Sequence, residues 1–541
     1  MRLKVGTALI ALSLILAGCS GEPKRDIVRT EVKVDVAEVG AQLDGIDALD
    51  VHEYNFGSRT VTLSTGEAMT FDVRGRVSVP KTGGAHPIVF AVHGKHELID
   101  VTKRFDGGFD YLVGHLAAKE TIGVSIDANR AFVGTDDPLL EEERLRHIVD
   151  ANVDMWMKAH NGSVQAPVPI AGKVNPKKIG LIGYAESSPH VLTTASFLER
   201  KGWPVASILL VAPSVDHEPS EWPKSNIGMI VSEFDSIVKS YDGYKLYDAM
   251  EHDEDRISLI TLLKKGNHSY FNRAIDVNDV AQHGTNYELK HQLKREDQEQ
   301  FLKQYASDFF LGTLNDSETS LIRNLQIRPQ PDQMYWQDVT VMARLAGSET
   351  LVDFKEDVEE EKPSKLNKIR TERVIDDVRP EKDEIEIDTV VASDGPTSSR
   401  PMLRIDWMKK GSYATFTPSR TNLVGKEVIA VDFVVDPVSE LNKSEEYQPF
   451  AVQLEDEDGN IARASLADEL NATHISEGGL ELVKRSDGKR HEVWSKYTPL
   501  ASVRIPMERF DSIDLERVKT IRLVFNKTES GSMFVYSIQA Q

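Results

Sequence analysis

Cysteine is almost absent from this chain: among 541 residues there is one, at position 19. A lone cysteine excludes an intrachain disulfide. Positive charge is scarce as well. Lys and Arg number 64 against 86 Asp and Glu, a formal net charge of −22. Binding to a phosphate backbone needs a positive surface, so no nucleic-acid partner is expected, and acidic polymers are poor substrates. No glycine-rich phosphate loop, no G-x-G-x-x-G before a helix and no H-E-x-x-H are found, nor any repeat at a fixed period. No cofactor and no metal are therefore expected. Outside the first residues no stretch is apolar enough to cross a membrane. What is present is 40% hydrophobic and 28% charged residues, sufficient for proper cores, in a length that argues for two or more domains.

The first residues bear on location. Arg2 and Lys4 precede an apolar run from Val5 to Ala17, which is shorter than the roughly 20 residues of a membrane-spanning helix. Leu16-Ala17-Gly18-Cys19 follows, with small residues before a cleavage point, as in a bacterial secretory signal. The tetrapeptide resembles a lipobox, which implies lipidation of Cys19 and a membrane partner through that anchor. Residues 1–18 are then signal peptide and 19–45 a polar tether. Ser20, rather than Asp, follows the cysteine. In a Gram-negative cell this implies the outer membrane, within a cell-envelope location.

Between about 46 and 325, strand-like and helix-like segments alternate. "HPIVFAVHG" reads as a buried strand ending in glycine, and "FDYLVGHLAAKE" as an amphipathic helix. "PLLEEERLRHIVDANVDMWMKAH" is a long helix with Leu145, Ile148, Val149, Val153 and Trp156 on one face. Such alternation predicts an α/β fold, a doubly wound sheet with helices on both faces. Residues 326–395 are an acidic linker or insertion that could include the first strands of the next domain. Residues 396–541 read as all-β, with "DEDGN" as a hairpin turn, and predict a β-sandwich or jelly roll.

Four stretches point to chemistry: "FAVHGKH", "YLVGHLAAKETIGVSIDANR", "VNPKKIGLIGYAESS" and "KKGNHSYFN". In this order they resemble the α/β-hydrolase fold, and more closely the bacterial secreted hydrolases of the dienelactone hydrolase and platelet-activating-factor acetylhydrolase type. The resemblance covers roughly residues 55–315, and a C-terminal jelly roll accompanies such domains. It implies that His268 is the base and Asp235 the acid that orients it, with Asp242 the second candidate. It also implies an oxyanion loop of His93, Gly94 and Lys95, joined by Glu186. The order nucleophile, acid, histidine is the one this fold uses.

The nucleophile departs from the pattern. In Gly183-Tyr184-Ala185-Glu186-Ser187 an alanine stands where G-x-S-x-G has serine, and Ser187 replaces the closing glycine. A methyl group cannot attack a carbonyl. The reading adopted is a degenerate hydrolase-like domain that binds a ligand or partner, such as a small ester, lipid or glycan. The alternatives are an ester hydrolase with a displaced serine, Ser187 or Ser188, and a carboxylate chemistry at Glu186. A further alternative is a glycan- or protein-binding role of the β-region. Trp407, Tyr413 and Trp494 would stack on sugar there, although core or hairpin positions are the plainer reading. "HGKHE" brings His93, His96 and Glu97 together, but its spacing is not that of a zinc helix. His190, just past the elbow, reads as a helix-start residue.

Overall fold

The computed structural model describes residues 28–33, 37–39, 50–250, 255–315, 331–354, 402–437, 439–442, 446–475, 480–484, 490–494 and 499–541, with the short pieces 317, 319, 321–322, 325, 369–373 and 385–390. The expected signal segment 1–18 and Cys19 lie outside these residues.

The strands of the first half differ: the central ones, such as HPIVFAV and NIGMIVS, are nearly unbroken apolar runs, as burial on both faces requires, whereas outer ones such as RTEVK are polar. In chain order they are β1 (Arg29–Lys33), β2 (Ala37–Val39), β3 (His52–Thr62), β4 (Ala68–Ser78), β5 (His86–Val92) and β6 (Ile122–Ile126). Next come β7 (Val174–Tyr184), β8 (Val205–Val211), β9 (Asn226–Ser232), β10 (Ser258–Leu263), β11 (Pro331–Met334) and β12 (Gln337–Arg344). All but β1 form one eleven-stranded sheet, in the order β2-β11-β12-β10-β9-β8-β7-β5-β6-β4-β3. The stretch from β6 to β10 is parallel throughout. Antiparallel pairs flank it on both sides. The strand order reverses at β5, which has β6 on one side and β7 on the other. At such a switch point the loops leaving neighbouring strands part in opposite directions and open a crevice at their carboxyl ends.

The helices are α1 (Asp110–Ala118), α2 (Asn129–Phe132), α3 (Pro138–His160), α4 (Ser187–Arg200), α5 (Asp242–Ala249), α6 (Asp279–His283), α7 (Asn286–His291) and α8 (Arg295–Leu314). Because strand side chains alternate, each strand feeds two cores. Phe90, Leu181, Leu210 and Met229 pack with Val149, Trp156, Leu192 and Leu198 of α3 and α4. Ala91, Ile182, Leu209 and Ile230 pack with Leu112, Phe301, Tyr305 and Phe309 of α1 and α8. Asp137, whose carboxylate accepts from Leu139 N at 3.0 Å, and Pro138 in the first turn start the long helix α3.

The rest of the described chain is β-rich: β13 (Glu349–Val352), β14 (Ile369–Arg373), β15 (Ile385–Val390), β16 (Met402–Trp407), β17 (Ser412–Phe416), β18 (Val428–Val435), β19 (Ala451–Asp456), β20 (Ile461–Ser465), β21 (Leu480–Lys484), β22 (Arg490–Trp494), β23 (Ala501–Pro506), β24 (Val518–Phe525) and β25 (Gly531–Ala540). One sheet runs β1-β20-β19-β24-β17-β14 and another β15-β16-β25-β18-β23, with β13 beside β25. Ile405, Trp407, Val431 and Phe433 of the second sheet share one core with Phe416, Val452, Leu454 and Leu523 of the first.

Two sequence expectations are corrected. Residues 19–45 were expected to be a tether, yet β1 pairs with β20, Val32 opposite Ala464, and β2 pairs with β11. Segments of five and three residues carry too little periodicity to be read, and their partners lie hundreds of positions away. The boundary at 325 is also misplaced. Strand β12 extends the large sheet by antiparallel pairing with β10, Ile260 opposite Met342. A return strand after a helix breaks the alternation on which the boundary rested. Most of the acidic stretch 353–388 lies outside the described residues; β14 and part of β15 fall within it.

Candidate functional site

Strand β7 ends on Gly183 and Tyr184, and α4 begins at Ser187. Between them Ala185 has a φ of +54°, in the left-handed region. That conformation costs a non-glycine residue about 1–2 kcal/mol, so the surroundings must hold it. They do: Ala185 N donates to Val211 O at 3.0 Å, and Ala185 O accepts from Ser188 N at 3.0 Å and Ser214 N at 3.2 Å. Gly183 is required by the close approach of α4. A Cβ there would stand 2.7 Å from Val191 Cγ2 and 2.9 Å from Ser188 Cα. The chain thus makes a sharp strand-to-helix turn with a methyl group at its apex.

The base and acid expected from the sequence meet. His268 Nδ1 lies 2.8 Å from Asp235 Oδ2, with both side chains buried. The other oxygen of Asp235 accepts from Ile237 N at 2.9 Å and Val238 N at 2.6 Å, which fixes the carboxylate. Asp242 is elsewhere: its oxygens hold Ser240, Lys245 and the amide of Val215. Burial alone would lower the His268 imidazole. Asp235 overcomes this by charge and hydrogen bond, Glu186 and Asp279 add to it, and the imidazole is pushed up to about 9. Asp235 thus favours the protonated form of the His268 imidazole.

Neither candidate serine is available. Ser187 is fully buried. Its Oγ lies 3.1 Å from Val92 O and 2.9 Å from Tyr184 O as donor, and accepts from Tyr184 N at 2.8 Å. Ser188, also fully buried, donates to Gly183 O at 3.1 Å. Both hydroxyls satisfy backbone groups of the elbow, which corrects Ser187 as a replacement nucleophile. A residue two positions past the apex faces back into the turn.

The loop after β5, expected to bind an oxyanion, holds its residues in other roles. His93 is fully buried; its Nδ1 sits 2.9 Å from Gly94 O and its Nε2 accepts from Ala128 N at 3.0 Å. It braces the loop. The amide of Lys95 donates at 2.9 Å to Glu186 Oε2. A Cβ on Gly94 would stand 2.7 Å from that same oxygen and 2.8 Å from Ala185 Cβ. A carboxylate of the chain itself thus occupies the amide from which an oxyanion contact was expected. Lys95 Nζ turns away to Asp136 at 2.9 Å and Glu141 at 2.7 Å.

Three contributors were missed. Asp279 accepts from Ser236 N and Ser269 N at 3.0 Å and from His268 N at 3.3 Å, locking the acid and histidine loops together. Tyr184 OH donates to His268 O at 2.8 Å. His96 is kept well below its ordinary value by burial, with His93 and His268 adding repulsion, and its ring lies 5.4 Å from that of Tyr184. Only the "HGKHE" cluster hinted at any of these. Glu97 does not join a metal set with His93 and His96; it holds Lys103 and the amides of residues 98–100.

The sugar-stacking candidates are not a surface. Trp407 is fully buried and stacks on Phe525 at 4.1 Å, and Tyr413 is 5% exposed. The side chain of Trp494 lies outside the described residues. No family model matches the chain, and no curated protein matches it either.

Proposed function

We propose that this chain is an envelope lipoprotein whose first large domain has the α/β-hydrolase fold without its turnover, and that it binds a ligand or partner at the switch-point crevice. Support for the fold comes from the order of stations along the sheet. The oxyanion loop follows β5, the elbow follows β7, the acid follows β9 and the histidine follows β10. The anchoring part of the proposal rests on the sequence of the first 19 residues alone.

The observation that carries the loss of turnover is Ala185 at the apex, in the strained conformation of a nucleophile. Acyl transfer needs an activated hydroxyl, a neutral base and an empty oxyanion site. Here the hydroxyl is absent. The Lys95 amide already carries the Glu186 carboxylate. The strain has outlived the group it presented. His268, His96 and the Glu186 carboxylate, gathered at the carboxyl ends of the central strands, are suited to holding a polar group rather than cleaving an ester.

The test is intact mass after treatment with a fluorophosphonate serine probe. The natural protein is expected to stay unlabelled beside a labelled control hydrolase. A stoichiometric mass increase would overturn the proposal, and peptide mapping would name the serine.

A further inference from the structure

A second cluster of metal-type ligands lies behind the elbow, outside the crevice. Glu142 of α3, His190 of α4 and His217 of the β8–β9 connection each offer one ligand atom, all within 4.8 Å of one another. His190 is 1% and Glu142 6% exposed. Glu142 Oε2 is 3.3 Å from His217 Nε2, and the two imidazole rings lie 5.3 Å apart. The nearest other carboxylate is Glu141, 3.9 Å from His190 Nε2, and its second oxygen is held by Lys95.

The hydrogen bond between Glu142 and His217 does not account for the cluster. Nδ1 of His190 and Nδ1 of His217 are both buried without a hydrogen-bond partner among the described residues. Burying two imidazoles against one carboxylate is unfavourable unless something satisfies their nitrogens. A bound cation would take one lone pair from each ring and balance the carboxylate. Two imidazoles and one carboxylate are a borderline-soft set, suited to zinc and its neighbours, whereas calcium and magnesium seek oxygens.

We propose that Glu142, His190 and His217 form a binding site for a zinc-class divalent cation, with its fourth position left to water. Around a tetrahedral zinc, nitrogen and oxygen ligands stand about 3.4 Å apart, given bonds of about 2.0–2.1 Å. The three groups therefore need to draw together by no more than about 1.4 Å from the 4.8 Å limit. His217 can supply that movement, because its segment between Val211 and Asn226 is neither helix nor strand and its side chain is 18% exposed. The same exposure is the entry path. A bound ion would tie α3, α4 and this connection together at the amino end of the helix that carries the elbow turn. The site shares no residue with the His268–Asp235 pair and stands whether or not the crevice is silent.

The test is titration of untagged, chelator-treated protein with Co²⁺, read by the visible bands of a four-coordinate ion, followed by displacement with Zn²⁺. One Co²⁺ per chain, displaced by one Zn²⁺, is expected. His217→Ala, on the partly exposed connection, should weaken binding by about 100-fold or more, and His190→Ala likewise, while His147→Ala should not. Circular dichroism of the metal-free variants separates lost ligation from lost folding, and His217→Ala serves if His190→Ala fails to fold. No stoichiometric binding, or binding unchanged in a folded His217→Ala, would overturn the proposal.

Discussion

At the scale of single residues, the site is governed by what each polar group already holds. Ser187 has the side chain of a nucleophile and the environment of a structural brace. Ser187→Ala should cost about 2 kcal/mol, because it strips partners from buried backbone groups of the elbow. Chemical denaturation measures this, and the lack of probe labelling should not change. Ala185→Ser, in contrast, places a hydroxyl at the apex of a turn already bent for it. It should acquire fluorophosphonate reactivity, and more when combined with Glu186→Gln, which weakens the charge on the Lys95 amide. If neither labels, the crevice has decayed beyond its nucleophile. His268 gives a pH signature. Its folded value of about 9 lies above the ordinary 6.5, so its ion pair stabilises fully below pH 6.5 and is lost as pH rises through about 9. The difference is on the order of 3 kcal/mol. The melting temperature of the natural protein should fall more steeply between pH 7 and 10 than that of His268→Gln. Parallel curves would mean that the imidazole is neutral.

At the scale of elements, legibility depended on length and period. Strands β5 and β7 and helix α3 were readable because an apolar run or a one-faced helix is a local property. The edge strands were not. β2 and β11 have three and four residues, and each exists only because a neighbour supplies hydrogen bonds. The carboxylate of Asp332 on β11 receives the amide of Asn471 at 3.0 Å on each oxygen, which ties the large sheet to the β-rich region. Burial pushes this carboxyl up to about 7; Asp338 adds to that, and the Asn471 amide and Lys264 oppose it. Since the folded value exceeds the ordinary 3.8, burial of this carboxyl costs the fold least at low pH, and the cost grows as pH rises from about 3.8 to about 7, where the group ionises. Asp332→Asn keeps an acceptor without the charge. Its melting temperature relative to the parent should rise between pH 5 and pH 8; a constant difference would refute the argument.

At the scale of the whole molecule, the two regions share a core. Met402, Val434, Leu500, Phe534 and Tyr536 of the β-rich part join the cluster built by β5, α3 and α4. Tyr536 OH donates to Asp248 at 2.8 Å. The fully buried Arg504 donates to Gln541 and to the carbonyl of Leu325. Gln541 reaches Ala343 of β12. A chain cut at residue 395, the sequence boundary, would uncover the apolar side chains these residues cover and remove the donors to the Leu325 and Ala343 carbonyls. It should aggregate or melt at least about 10 °C lower, while the full chain gives one calorimetric transition. Two separate transitions, with the first region unchanged by truncation, would contradict the shared core.

The sequence by itself determined the alternation of strands and helices up to residue 315 and the all-β texture after 396. These follow from hydrophobic period, a local property, whereas the pairing of His268 with Asp235 was only implied by the resemblance, which left Asp242 as a second candidate. Only the tertiary structure decided the state of the site. Whether a serine is free or spent, which way an imidazole's basicity is shifted, and which carboxylate sits on the Lys95 amide depend on groups brought together from distant positions. The same holds for Glu142, His190 and His217, which are 75 positions apart at most and share no motif. Their meeting is set by the packing of α3 on α4 and by the path of one connection. A residue's chemistry is written in the chain, but its burial and its partners are properties of the fold.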